Sequence, residues 1–218
     1  MNLYRLASKT NRSVAWHKRS DQPLIYVTFD DGPTEELTPW ILDVLQSYDA
    51  RATFFCLGHQ VEQHPQNYRA ILDAGHAVGN HTYSHLNGWT TSNRKYFEDI
   101  NRASRLIDSR LFRPPYGRIR PSQFFRLRKD YRIVFWDVLS RDYDVRQSPG
   151  IILHRLRKKA RPGSVVVFHD SLKTESNLKE VLPVFLDYCK RQGFELKTLP
   201  ADPAATSAAS ESSEKPGD

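Results

Sequence analysis

The feature that most constrains the fold is a regular alternation of short apolar segments with amphipathic ones. The segment 24–29 (LIYVTF) is apolar and β-branched, which is typical of a buried strand. Residues 39–48 follow with apolar side chains at helical spacing, and Thr38 is the predicted N-cap. The alternation recurs about seven times, with further strands predicted at 52–57, 77–79, 111–113, 133–136, 165–168 and 194–199. It predicts a mainly parallel sheet with helical crossovers, as an open doubly wound sheet or as a closed barrel.

Five further helices are predicted between these strands. One ends near Gly75, and another is capped by Ser92. The others cover 122–129 and 149–160. A last helix reaches Arg191, and Pro183 either kinks it or marks its start.

Polar clusters follow the ends of five predicted strands. They are Asp30-Asp31, 81–85, 113–117, 137–142 and His169-Asp170. The carboxyl ends of parallel strands share one edge or rim, where active sites lie. Five such clusters exceed what strand-ending turns require, so we expect a functional site there.

Two of these clusters suggest a metal site. Asp30 and Asp31 are adjacent carboxylates, which repel each other at a buried strand end unless a cation is present, although DDGP is also a common turn sequence. His81 and His85 stand four residues apart, and in a helical turn both rings would lie on one face. Each pair alone is equally compatible with a structural role. Together they form a His₂-Asp set with positions open for water and substrate.

The later clusters supply candidates for proton transfer. His169 follows a very apolar strand and could act as a general acid, because the pKa of histidine lies near neutrality. Asp142 is a candidate to hold and tune it. Arg113, fixed ahead of two prolines, could hold an ionised carboxylate through charge-assisted hydrogen bonds.

The ordered motifs resemble those of the polysaccharide deacetylases, the NodB-homology domain of carbohydrate esterase family four. They are TFDDGP at 28–33, HTYSH at 81–85, RPPYG at 113–117, Trp136 to Asp142, and VFH at 167–169. The resemblance covers about 24–199. It implies a distorted (β/α) barrel of about seven parallel strands and a hydrolase that removes N-acetyl groups from an N-acetylated, N-acetylglucosamine-type glycan.

The resemblance also implies a role for each motif residue. The metal ligands are Asp31, His81 and His85, and the cofactor is a divalent cation, expected to be Zn²⁺, with Co²⁺ or Ni²⁺ as alternatives. Asp30 is the catalytic base, Arg113 orients it, His169 is the acid and Asp142 tunes the acid. The substrate-binding residues are Pro115, Tyr116 through its backbone N–H, Trp136 and Val167. Leu139, Tyr143 and Val167 depart from the family pattern and concern the groove and acetyl pocket, not the metal site.

Charge and composition bound the organisation of the chain. The last 18 residues hold four acidic residues and one lysine, a net charge of −3. Since the whole chain has a net charge of +7, residues 1–200 carry +10. We predict a basic extension at 1–22, a catalytic domain at 23–200 and a disordered acidic tail at 201–218. The basic clusters at 1–20, 102–132 and 155–161 fit either solvated helix faces or attraction to an anionic polymer or membrane surface.

Partners and location follow from what the sequence lacks. It shows no nucleic-acid motif, no apolar run of membrane-spanning length and no secretory signal. We therefore expect a glycan partner, no nucleic acid and a cytoplasmic location, with non-standard export or peripheral membrane contact left open. Two other functions compete: an amidase or esterase acting on a small non-sugar substrate, and a non-catalytic barrel that binds glycans.

Overall fold

The computed structural model describes residues 22–201 together with the strand Val14–Ala15. The predicted extension 1–22 and tail 201–218 lie almost wholly outside these residues. Within them, the strands are β1 (Val14–Ala15), β2 (Leu24–Asp30), β3 (Ala52–Cys56), β4 (Ala77–Asn80), β5 (Leu111–Phe112), β6 (Arg132–Val134), β7 (Val138–Leu139), β8 (Val165–His169) and β9 (Glu195–Leu196). The helices are α1 (Leu37–Ser47), α2 (Gly58–Gln63), α3 (Pro65–Asp73), α4 (Asn93–Ser104), α5 (Pro121–Leu127), α6 (Pro149–Lys159) and α7 (Glu175–Arg191).

All described strand pairs are parallel, and the sheet is curled. The strand order is β1-β6-β5-β4-β3-β2-β8-β7, and β9 pairs with β2. β6 and β7 stand six strands apart, which in a flat sheet is about 29 Å at the usual spacing. Only residues 135–137 join them, and such a link spans at most about 14 Å. The sheet must therefore bend round on itself, which confirms the distorted barrel and excludes the open sheet.

The two faces of each strand have different environments. Along β2, Ile25, Val27 and Phe29 pack in the large cluster against the helices. Tyr26 belongs to the cluster that fills the barrel interior. Side chains alternate along a strand, so Asp30 shares the inward direction of Tyr26. The same alternation on β8 turns Val167 and His169 inward.

Several predicted elements differ from the structure. The α1 N-cap is Glu36 and not Thr38, because the Thr38 hydroxyl instead donates to the Asp170 carboxylate at 2.5 Å. Pro183 does not begin the last helix, since α7 starts at Glu175 and continues through the proline. α2 and β7 were missed, because both are too short to show a periodic pattern. Ser92 does cap α4, accepting from the Lys95 N–H.

None of the helices in the described part of the chain is both long and apolar enough to span a bilayer. Both cysteines, Cys56 and Cys189, are free and buried.

Candidate active site

The end of β2 directs two consecutive carboxylates to different tasks. Asp30 is the last residue of the strand and is almost completely buried. Asp31 leaves the strand with a φ of 83°, a left-handed conformation that aspartate tolerates better than most residues. Gly32 follows under Asp170, where a β-carbon would lie 2.2 Å from a carboxylate oxygen, so only glycine fits.

Arg113 fixes the Asp30 carboxylate from inside the barrel. Its guanidinium donates to Asp30 Oδ1 at 2.5 Å and to the Thr28 hydroxyl at 2.8 Å. It is fully buried. Its guanidinium carbon lies 4.0 Å from the centroid of the Phe55 ring and 5.7 Å from that of the Trp136 ring. Burial lowers the pKa of Arg113, and the ion pair with Asp30 opposes that shift. The arginine therefore holds one Asp30 oxygen and leaves Oδ2 towards the histidines, 4.0 Å from His81 Nε2.

The two histidines come together without a helix. Residues 81–85 form an irregular loop, so the expected helical turn is wrong. Thr82 and His85 have φ values of 69° and 57°, and these two reversals bring the rings to 5.1 Å between centroids. Such conformations are costly for non-glycine residues and persist only where the surroundings impose them.

Asp99, which the sequence reading missed, imposes the shape of that loop. Its carboxylate on α4 accepts the backbone N–H groups of Tyr83 and Ser84 at 2.8 and 2.9 Å. It also accepts the Ser84 hydroxyl at 2.9 Å. The Asn80 side chain accepts the Thr82 N–H at 2.8 Å. All the bonded groups lie between the two histidines, so Asp99 holds the backbone that carries them. The only sequence signal was a carboxylate on the helix that follows the loop.

Asp31, His81 and His85 form a cluster that fits a metal ion. One ligand atom from each lies within 4.8 Å of the others. Asp31 Oδ1 is 3.3 Å from His85 Nε2 and 3.7 Å from His81 Nε2. Two ligands of a tetrahedral zinc ion are about 3.3 Å apart at ordinary bond lengths. Asp31 Oδ1 is also buried and has no hydrogen-bond partner in the described chain, an expensive state that a cation would relieve.

The histidines are in the form that binds metals. His81 Nδ1 donates to the Arg113 carbonyl at 2.7 Å, which leaves its Nε2 lone pair facing the cluster. His85 Nδ1 lies 3.1 Å from the Tyr116 hydroxyl. Burial, followed by the nearby His81, lowers the pKa of His85 to about 4, so its ring is neutral near pH 7.

His169 and Asp142 form a second pair. His169 Nδ1 is 2.7 Å from Asp142 Oδ1, and the His169 backbone N–H donates to Oδ2 at 2.8 Å. The Ser140 hydroxyl also donates to this fully buried carboxylate. Burial alone would lower the pKa of His169, but the charge and hydrogen bond of Asp142, helped by the charges of Asp30 and Asp31, outweigh it and raise the pKa to about 9. Its ring is therefore protonated at neutral pH.

The predicted substrate-binding residues lie in different environments. Tyr116 is 58% exposed, and its ring is 4.5 Å from the His85 ring. Trp136 packs beneath Gly117, while Pro115 is buried. Val167 is fully buried between β2 and β7, where it pairs with Thr28 and Leu139. Tyr143, a departure from the family pattern, meets His169 edge to face at 5.1 Å.

Asp170 is a second residue that the sequence reading left without a role. It accepts the Thr34 and Thr38 hydroxyls at 2.7 and 2.5 Å, and its N–H donates to the Asp30 carbonyl at 2.7 Å. Burial raises the pKa of Asp170 to about 6. It thus joins the ends of β2 and β8 to the start of α1.

Comparisons with known proteins identify the family of this chain. The polysaccharide deacetylase family model matches residues 17–132. A peptidoglycan-N-acetylglucosamine deacetylase of Bacillus cereus is 34% identical over 196 residues, covering 85% of this chain and 91% of that protein. A chitooligosaccharide deacetylase of Azorhizobium caulinodans is 30% identical over 203 residues, covering 83% and 94%.

A solved structure gives the same result for the fold. A crystal structure of a peptidoglycan N-acetylglucosamine deacetylase superposes with a TM-score of 0.84 at 29% identity. The superposition covers 92% of this chain and 95% of the other.

Proposed function

The chain belongs to the polysaccharide deacetylase family, and we propose that its barrel rim hydrolyses N-acetyl groups from an N-acetylated glycan and releases acetate. The observation that carries the proposal is the convergence of three groups on one rim. A metal-ligand cluster, a carboxylate fixed by Arg113 and a histidine paired with Asp142 come from strands far apart in the sequence. Amide hydrolysis needs each of these: a Lewis acid, a base and an acid.

Asp31, His81 and His85 would hold the cation. Zinc is the proposed ion, because two imidazoles and one carboxylate leave one tetrahedral position open, as in hydrolytic zinc sites. When bound, it supplies Lewis acidity, which polarises the acetamide carbonyl and makes a water molecule more acidic. The neutral His85 ring needs no proton loss before it binds.

Asp30 is the proposed base. Its Oδ1 is occupied by Arg113, so Oδ2 is the oxygen available to take a proton from the attacking water. The bond to Arg113 fixes the rotamer of the carboxylate, so the carboxylate needs no reorganisation at the moment of reaction. The buried Arg113 thus orients Asp30 and does not touch the substrate.

His169 is the proposed acid, and Tyr116 supplies a backbone donor. The carbonyl oxygen gains negative charge as water adds, and the Tyr116 N–H would stabilise that charge. The amine is a poor leaving group unless its nitrogen is protonated, and the His169 ring carries that proton at neutral pH. Trp136, Pro115 and Val167 would shape the space for the acetyl methyl group.

The proposed substrate is a polymer or oligomer of N-acetylglucosamine type. The two relatives described above are named for peptidoglycan N-acetylglucosamine and for chitooligosaccharides. Both are N-acetylated glycans, and this chain matches each over most of its length.

The test is acetate release from N-acetylglucosamine oligomers by zinc-loaded protein. Asp30→Asn should keep zinc and lose at least about a hundredfold in kcat, because the base is removed while the ligands remain. Asp43→Asn makes the same chemical change at an exposed position of α1 and is the matched control. Loss of zinc with activity in Asp30→Asn would contradict the assignment of the base, and a zinc-loaded wild type that releases no acetate from any glycan would contradict the function.

A further inference from the structure

The side chains of an exposed strip beside the metal cluster have no role in the reaction derived above. The strip consists of Tyr116, Arg118 and Trp89. The two rings are 58% and 54% exposed, although large aromatic side chains are usually buried. The Arg118 guanidinium carbon lies 5.2 Å from the Trp89 ring centroid and 5.9 Å from that of Tyr116.

The strip begins at the metal cluster. The ring centroids of Tyr116 and His85 are 4.5 Å apart, and Arg118 follows at 5.9 Å from Tyr116. The guanidinium is therefore within about 10 Å of the His85 ring by these two steps. The strip is therefore within reach of a sugar next to the one that presents its acetamide to the cluster.

The Trp89 end of the strip is held in place before any ligand binds. The Trp89 carbonyl accepts two bonds from Arg120, at 3.1 and 2.7 Å, and the indole N–H points to the Ile119 carbonyl at 3.3 Å. A β-carbon on Gly88 would lie 2.5 Å from the Arg118 carbonyl oxygen, so the two loops are in direct contact. The buried Gln123 side chain bridges them, donating to the Gly88 carbonyl and accepting from the Arg120 N–H. A preorganised surface of this kind loses little entropy on binding.

Arg118 differs in its partners from several other exposed arginines. Arg94, Arg126 and Arg146 each pair with a carboxylate in the described chain. Arg118 has no carboxylate within salt-bridge distance among the described residues and contacts two aromatic faces instead. Stacking uses the flat face of a guanidinium and leaves its N–H edge free for a bidentate carboxylate.

We propose that this strip is a subsite for a carboxylate-bearing sugar adjacent to the acetamido sugar, with Arg118 binding the carboxylate and Trp89 packing against the sugar ring. The inference rests on the proposed deacetylase function and narrows its substrate to an anionic glycan. Such carboxylates occur in peptidoglycan strands, where N-acetylmuramic acid alternates with N-acetylglucosamine, and peptidoglycan is named in the Bacillus cereus relative described above.

The experiment compares three substrates. Peptide-free peptidoglycan strands carry free lactyl carboxylates, the same strands after methyl esterification carry none, and N-acetylglucosamine oligomers are neutral throughout. Acetate release gives kcat/KM for each with zinc-loaded protein. The ratio of kcat/KM for the free strands to kcat/KM for the esterified strands measures the contribution of the carboxylate.

Arg118→Gln should reduce that ratio about tenfold, the effect of one charge-assisted contact at an exposed edge. Arg118→Lys should restore part of it. Arg128→Gln is the matched control, because Arg128 also stacks on an exposed ring, that of Phe125 at 5.8 Å, at the end of α5. Trp89→Ala should lower kcat/KM on all three substrates, since ring packing does not depend on the carboxylate.

Two results would overturn the subsite. One is a wild-type ratio near one, and the other is an equal change of the ratio in Arg118→Gln and Arg128→Gln. In both cases acetate release from the neutral oligomers would leave the deacetylase function standing. No acetate from any of the three substrates, with zinc bound, would overturn the function and the subsite together.

Discussion

Replacing Asp142 with asparagine should move the alkaline limit of the reaction towards neutral pH. In the wild type the Asp142 carboxylate, through its charge and its hydrogen bond and with smaller contributions from Asp30 and Asp31, overcomes the effect of burial and gives His169 a pKa of about 9, against an ordinary value of 6.5. At 1.36 kcal/mol per pKa unit, the environment favours the protonated ring by about 3 kcal/mol. Asparagine keeps an acceptor oxygen but loses the charge, so the pKa of His169 should fall to about 6.5 or below.

The assay is the pH profile of kcat/KM for acetate release between about pH 5.5 and 10. The general acid must carry its proton, so the wild-type rate should fall as pH rises through about 9. In Asp142→Asn the fall should occur near or below pH 6.5, which removes at least about nine-tenths of the rate at pH 7.5. Asp144→Asn, a carboxylate two residues away that bonds Arg146, is the control and should keep the wild-type profile.

The same pair contributes to stability with a defined sign. The pKa of His169 is raised in the folded state, so its stabilising effect is fully present below about pH 6.5 and is lost as pH rises through about 9. In urea unfolding, the free energy of unfolding of Asp142→Asn should be lower than that of the wild type by up to about 3 kcal/mol at pH 6, and by less at pH 10. If the alkaline limb of the kcat/KM profile lies at the same pH in the wild type and in Asp142→Asn, the reasoning is refuted, because the charge of Asp142 would then not set the protonation of His169.

Two further predictions concern the residues that the sequence reading missed. Asp99→Ala should weaken zinc binding about 10- to 100-fold in competition with a chelator, because the loop that carries His81 and His85 loses its three hydrogen bonds to Asp99. Glu98→Ala, at the exposed neighbouring position, should leave the zinc affinity unchanged. Equal zinc affinities in the two variants would refute the positioning role. The pKa of Asp170 is raised to about 6 by burial, so the stability it contributes is present below about pH 3.8 and is lost as pH rises through about 6. Wild-type unfolding free energy should therefore lose about 3 kcal/mol from this group between pH 4 and pH 7, a loss absent from Asp170→Asn, and parallel pH curves for the two proteins would contradict this origin.

The parts of the site that the sequence revealed share a physical reason. Each lies where a strongly apolar strand ends in polar residues, and parallel strands bring those ends to one rim. The segments around Asp30 and His169 could therefore be placed from pattern alone. The resemblance to a family implied a role for each residue, and it favoured the barrel over the open sheet.

What the sequence did not reveal depends on contacts between distant segments. The His81 and His85 spacing suggested a helical turn, but Asp99 and Asn80 hold an irregular loop with reversed φ values instead. The sequence around Thr38 predicted an N-cap, yet its hydroxyl donates a hydrogen bond to the carboxylate of Asp170, 132 residues away. Local propensity carries no information about such partners.

The position of β2 between β3 and β8 has a consequence for biosynthesis. β3 follows β2 closely in the chain, whereas Asp30 pairs with His169 on its other side. One edge of the apolar segment 24–29 therefore stays without its partner until most of the domain has left the ribosome. An unpaired apolar edge is a template for aggregation. Nascent or truncated chains that end before residue 165 should thus depend on chaperones far more than the finished protein does.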